Sequence, residues 1–326
     1  MYWVIILKDK TITPSDLKVI MHSKRANVYY LEKCRVMQKD GRILYITEAK
    51  KEKLYWNIPI ANTTVILLGM GTSITQAAMR MLCSAGVMVG FCGTGGTPLY
   101  AGTEIEWMSP QNEYRPTKYV QGWAYFWFDE QKRLAVAKDL QKFRYSYLLE
   151  CWAKDRELQE EGLSPDASML NEAVNEFKAR IESAINVQEL LLGEAAFTKR
   201  LYKYVGYTTG VFDFVRDHEA QDETNRFLSH GNYLAYGLAA SALWVLGIPY
   251  SFAVMHGKTR RGGLVFDAAD MIKDTLILPW AFIFSANGRS DQEFRENCLT
   301  KFIEYDAMGF MMRNIESMCF RFDHQR

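Results

Sequence analysis

Four residues in the second half of this 326-residue chain, Glu194, His256, Asp267 and Asp270, are of the types that hold a hard metal ion. Asp267 and Asp270 stand three apart in LVFDAADMIKDTLIL, whose apolar spacing predicts a helix, so their carboxylates leave it from nearly the same face. Asp274 continues that line. Just before this helix comes His256 and then a loop, GKTRRGG, whose glycines predict flexibility and whose Lys258, Arg260 and Arg261 are cationic. Carboxylate oxygens with one imidazole suit Mg²⁺ or Mn²⁺ better than the thiolate-rich sets of structural zinc, and the neighbouring cations would hold phosphodiester oxygens. Spacing alone leaves a second reading open, since one histidine and two aspartates on a helix also describe a capped, solvated helix start.

Glu194 narrows the choice. In VQELLLGEAAFTKRLYKYVGY the residues Leu190, Phe197, Leu201 and Tyr204 recur every three or four positions and make an apolar stripe, with Glu194 inside it. A buried, unpaired carboxylate either protonates or finds a cation. Glu194 therefore meets a basic partner, coordinates a metal, or sits at the stripe's edge and reaches water. Lys199 and Arg200 follow on the same helix, and Lys273 follows Asp270 by three residues, close enough to contact a phosphate or balance the acids.

These groups need a frame, and the stretch from Tyr233 to Gly247 supplies its centre. It has no charged side chain and reads as a helix buried on nearly all sides. Its length of about 15 residues falls short of the roughly 20 that a bilayer requires. Around it, WAYFWFDEQKRLAVAKDLQKFRYSYLLECW reads as one long helix, NEAVNEFKARIESAI as a second, the Glu194 segment as a third and EFRENCLTKFIEYDAMGFMMRNIESM as the last. Trp123, Phe126 and Trp127 fit core packing better than base stacking. From Ala26 to about Ala101 short β-rich runs alternate with turn signals such as KDGR. Gly69-x-Gly71 is no dinucleotide loop, because Ile74 holds the third glycine position; Thr72 or Ser73 is expected to cap the following helix. The fold class is thus α+β: a β-rich N-terminal domain over 1–108, a linker over 109–118 and a helical catalytic domain over 119–326.

With 39 Lys and Arg against 38 Asp and Glu, bulk charge does not announce a nucleic-acid binder, so any DNA surface must be local. The six cysteines are scattered without a CxxC pair and read as free thiols, which with the absence of a signal-peptide pattern or a membrane span points to the cytoplasm.

The segments LLGEAAFTKRLYK, NYLAYGLAASALWVLGIP and MHGKTRRGGLVFDAADMIKD together resemble the Cas-one family, the adaptation integrases of CRISPR systems. HSKRANVYYLEKCRV, YWNIPIANTTVILLG, GTSITQAAM, GFCGTGGTPL and SPQNEYRPT resemble its type I-F branch, so the likeness runs from about Pro14 to near the C-terminus. The resemblance implies a divalent metal held by a glutamate, a histidine and an aspartate, which fall here on Glu194, His256 and Asp270, with Asp267 at the same site. It implies strand transfer by a DNA 3′-hydroxyl on double-stranded and branched DNA. It also implies a homodimer formed through the β domain and a Cas-two partner, in this branch fused to the helicase-nuclease Cas-three. Two rivals stand beside that reading: a metal-dependent nuclease acting mainly on branched DNA, and a non-catalytic scaffold for a partner nuclease.

Overall fold

The computed structural model describes residues 27–49, 52–93, 106–108, 117–217, 222–257 and 262–322. The first 26 residues, most of the 109–118 linker, and Lys258, Arg260 and Arg261 lie outside the described residues. The chain divides into two compact units, Met1–Arg115 and Pro116–Arg326.

Among the described residues, the first unit carries two sheets. The sheet with order β4-β3-β2-β6 is built from β2 (Arg35–Lys39), β3 (Arg42–Ala49), β4 (Glu52–Ile58) and the short β6 (Ser73–Ile74). Its strands alternate. Val36, Ile43, Tyr45 and Ile58 face a core completed by Ala78 and Leu82 of α1 (Gln76–Ser84), while Arg35, Lys39 and Arg42 are exposed. Asp40 and Gly41 join β2 to β3 with positive φ at both positions (50° and 74°), the two-residue hairpin that the KDGR signal encodes. The other sheet has order β1-β5-β7-β8: β1 (Asn27–Leu31), β5 (Thr63–Leu68) and β7 (Met88–Phe91) run parallel, and β8 (Glu106–Met108) pairs antiparallel to β7. The continuous apolar run Val65–Leu68 is buried throughout, as a parallel strand covered on both faces must be. The cap of α1 is Thr75, whose hydroxyl accepts from the Ala78 amide, and not Thr72 or Ser73. Ser73 is already committed to the sheet, its amide donating to the Cys34 carbonyl.

The second unit is helical: α2 (Thr117–Trp127), α3 (Glu130–Lys154), α4 (Arg156–Glu160), α5 (Ser168–Ser183), α6 (Val187–Thr209), α7 (Glu223–Leu246), α8 (Gly263–Leu276), α9 (Leu278–Ala286), α10 (Asp291–Glu304) and α11 (Ala307–Phe320). The single long helix expected over Trp123–Trp152 is two, because Asp129 takes an extended backbone and its carboxylate caps α3 by accepting from the Gln131 and Lys132 amides. The last expected helix also breaks, at Asp306, whose φ is 47°. α7 contains the uncharged stretch and packs against α8, α9 and α11. All but one of the 14 residues of α8 are buried, so its three aspartates enter the interior of the unit. Among the described residues no helix is long and apolar enough to cross a membrane.

Candidate metal centre

Glu194 comes from α6, Asp270 from α8 and His256 from the irregular segment that precedes α8. One ligand atom from each lies within 4.8 Å of the other two. Helical spacing explains the first two: Glu194 lies on the same side of α6 as the buried Leu190, Phe197 and Leu201, and Asp270 sits mid-helix in an element buried at every position but Lys273. The middle of the GKTRRGG loop lies outside the described residues, and the two glycines at its end lead into α8. Gly262 holds φ at 65°, and a Cβ on Gly263 would meet the His256 backbone at 2.9 Å.

Asp267 holds the histidine. Its Oδ2 accepts from the amides of Val254 (2.7 Å) and Met255 (3.2 Å), and its Oδ1 accepts from the His256 amide (3.1 Å) and lies 2.7 Å from His256 Nδ1. A carboxylate only accepts, so Nδ1 carries the proton and the lone pair is left on Nε2, the tautomer a metal ligand needs. Asp267 is one turn from Asp270, as the sequence spacing predicts, yet it turns to the segment carrying His256 and is not one of the three converging groups.

Glu194 and Asp274 are joined by Arg144 of α3, a residue that the sequence reading did not single out. It is buried and donates from Nη1 to Glu194 Oε1 (2.8 Å), from Nε to Asp274 Oδ2 (2.6 Å) and from Nη2 to Thr198 Oγ1 (2.8 Å). The signal was present, since Arg144 interrupts the apolar positions Leu140, Leu148 and Cys151 of α3 as Glu194 interrupts those of α6. Lys273 forms an ion pair with Asp270 and lies 5.5 Å from the Tyr236 ring centroid. Lys199 is exposed, and Arg200 is paired with Glu176 of α5.

The charges do not cancel. Among the described residues, Glu194, Asp267, Asp270 and Asp274 bring four carboxylates against the two cations Arg144 and Lys273, a surplus of two when all four are ionised and the imidazole is neutral. The strain is visible in the acid–base balance. Burial, with Asp270 nearby, pushes Glu194 above the usual carboxylate range even though Arg144 pulls it down. Burial also opposes ionisation of Asp270, but Lys273, His256 and Arg144 outweigh it and hold that carboxyl at about 2. His256 is raised: burial disfavours its cation, and the hydrogen bond to Asp267 with the charges of Asp270, Asp267 and Glu194 more than compensates. One more divalent positive charge would close the balance, and Asp270 Oδ1 is buried without a hydrogen bond of ordinary geometry although the Lys273 ammonium is packed against it. The donor set, two carboxylates and one imidazole without a thiolate, fits Mg²⁺ or Mn²⁺.

A small β-sheet unit followed by a helical unit with a converging glutamate–histidine–aspartate set, its aspartate buried and the other two half-buried, describes a class of protein on which comparison with known families converges. The family model for CRISPR associated protein Cas1 matches residues 28–302, and the chain belongs to that family. It is 52% identical to the CRISPR-associated endonuclease Cas1 of Pseudomonas aeruginosa (strain UCBPP-PA14), over 95% of this chain and 98% of the relative. The fold is similar to that of the TtCas1–DNA complex, with a TM-score of 0.64 at 22% identity over 90% and 91% of the two chains. It is likewise similar to a casposase bound to integration product, with a TM-score of 0.66 at 13% identity over 91% and 92%.

Proposed function

We propose that this chain is a divalent-metal-dependent DNA integrase and endonuclease of the type I-F branch, which inserts new spacers into a CRISPR array by attack of a DNA 3′-hydroxyl on a phosphodiester. The observation that carries the reading is the convergence of Glu194, His256 and Asp270 within 4.8 Å, where, among the described residues, four carboxylates stand against the two cations Arg144 and Lys273. These three residues would hold Mg²⁺ or Mn²⁺. When bound, the cation supplies Lewis-acid stabilisation of the charge that develops on the target phosphate. The protein's own groups do the rest. Arg144 fixes the Glu194 carboxylate, and Asp267 fixes the His256 tautomer. Lys273 keeps Asp270 ionised and offers an ammonium at the edge of the site, with Lys199, Lys258, Arg260 and Arg261 as further phosphate contacts and Arg200 available once released from Glu176.

The reaction exchanges one phosphodiester for another: the donor 3′-oxygen forms the new P–O bond and the strand being joined into leaves with its own 3′-oxygen, so no nucleotide is hydrolysed. Water in place of the 3′-hydroxyl would make the same site a nuclease, in keeping with the endonuclease name of the Pseudomonas relative. A second copy of the chain and a Cas2 partner, fused to Cas3, complete the proposed complex in the cytoplasm.

The test is an integration assay with a labelled donor, a repeat-bearing plasmid and the partner complex, run with Mg²⁺, with Mn²⁺ and with chelator. Joined product that requires metal and vanishes in Asp270→Ala is the expected result. Unchanged joining in Asp270→Ala would favour a scaffold, and cleavage of branched DNA without joining would favour a nuclease.

A further inference from the structure

His256 is carried by residues 252–257, which belong to no helix or strand, and Ala253, Val254 and Met255 within them are buried. Buried irregular backbone must find side-chain partners for its amide groups. This segment finds them on two sides. Asp267 takes the N–H groups of Val254, Met255 and His256. The carbonyls that precede them are taken by two indoles of α2: Trp123 Nε1 donates to Phe252 O at 2.9 Å, and Trp127 Nε1 donates to Ala253 O at 2.8 Å.

The two tryptophans stand four positions apart, so one face of α2 presents both donors. α2 is itself tightly seated against α11. A Cβ on Gly122 would collide with the Cys319 carbonyl of α11, and the Tyr119 and Phe320 rings are in contact. Carbonyls fixed at 252 and 253 and amides fixed at 254–256 leave the His256 backbone little room to rotate.

We propose that α2 is the positioning element of His256, with Trp123 and Trp127 setting where the imidazole stands relative to Glu194 and Asp270 through the carbonyls of Phe252 and Ala253. The inference rests on the metal reading above. Neither tryptophan touches ion or substrate; both act through the segment that carries the ligand. Groups that orient a ligand in this indirect way change metal affinity by roughly 10–100-fold when removed.

The test uses the whole chain and Mn²⁺ as probe, with the dissociation constant read from the free-ion electron paramagnetic resonance signal and the metal-free stability read from urea denaturation. Trp123→Phe and Trp127→Phe remove the N–H donor and keep an aromatic ring. Trp152→Phe removes the same kind of bond elsewhere, since Trp152 Nε1 donates to Thr275 O at 3.0 Å. Each α2 variant should raise the dissociation constant about tenfold or more, whereas Trp152→Phe should lower stability and leave affinity as in the parent. Trp127 is only half-buried, so Trp127→Phe carries the test alone if Trp123→Phe does not fold. Unchanged affinity in Trp127→Phe overturns the proposal, as does an equal loss of affinity in all three variants. A parent that binds no Mn²⁺ overturns the metal reading and this inference together, whereas a parent that binds and α2 variants that bind equally well overturn this inference alone.

Discussion

Arg144 and Lys301 are both buried cations, with side chains 2% and 3% exposed, and each stands among more acid than it can neutralise. Lys301 lies 3.0 Å from Asp155, 3.0 Å from Glu157 and 3.2 Å from Glu304. One positive charge against three negative gives a surplus of two, the same as at the Glu194 site. The two regions differ in where that surplus sits. Glu157 and Glu304 are 67% and 51% exposed, so water screens them, whereas Asp267, Asp270 and Asp274 are buried at 0%, 3% and 5%. Excess acid is common and cheap when solvated; desolvated excess is costly until a counter-charge arrives. Burial therefore separates the candidate metal site from an ordinary ion-pair cluster.

The largest effect that can break this contrast is on chemistry. Glu194→Gln should reduce strand transfer by about 100-fold or more and abolish stabilisation by Mn²⁺, while the metal-free variant folds at least as stably as the parent, because the fold disfavours the ionised form of Glu194. Metal-free melting and strand-transfer rate measured together decide it; a variant that melts far lower yet still joins DNA would make Glu194 a structural partner of Arg144 and nothing more.

Next comes stability. Arg144→Met leaves Glu194 and Asp274 buried without their cation and should cost roughly 3–5 kcal/mol. Lys301→Met should cost markedly less, because two of its three partners can turn to water. Equal losses in urea denaturation would erase the distinction between the regions.

A pH series is a finer test. Glu194 and His256 both have folded pKa values above their unfolded ones. In the metal-free protein each thus contributes stability that is complete below the unfolded value and is lost as pH rises through the folded value. A metal must displace those protons, so the rise in melting temperature on adding Mn²⁺ should be larger near pH 8 than near about pH 6. A metal effect that shrinks over that window would contradict ligation by His256.

The smallest expected effect lies on the surface of α6. Lys199 is exposed while Arg200 is engaged by Glu176. If Lys199 contacts a phosphate, Lys199→Ala should flatten the salt dependence of DNA binding by about 0.9 in log–log slope, with a smaller change for Arg200→Ala. The reverse order would show that DNA releases Arg200 from Glu176.

Much of the site was legible in the sequence because burial forces polar residues to stand out against an apolar pattern. Glu194 stood out in that way, and Asp267 with Asp270 did so through helical spacing. Arg144 carried the same signal in α3 and could have been found by the same test. What spacing could not supply was the division of labour on α8. Residues three apart share a face, yet Asp267 turns to the backbone before His256 because that irregular segment presents three amides to it. The breaks at Asp129 and Asp306 were obscured for a related reason: apolar periodicity continues across them, and only the local backbone conformation ends the helix.

α8 has one more consequence, for how this chain can vary in length. Its acids at 267, 270 and 274 serve the His256 segment, the candidate ion and Arg144 in turn, like marks on a ruler. Each residue of an α-helix advances about 1.5 Å and turns about 100°. Inserting or deleting one residue between Asp267 and Asp274 would therefore swing at least one mark away from its target, and no rotamer could restore it. Changes in side-chain type can be repaired one at a time; a change in the length of this helix cannot.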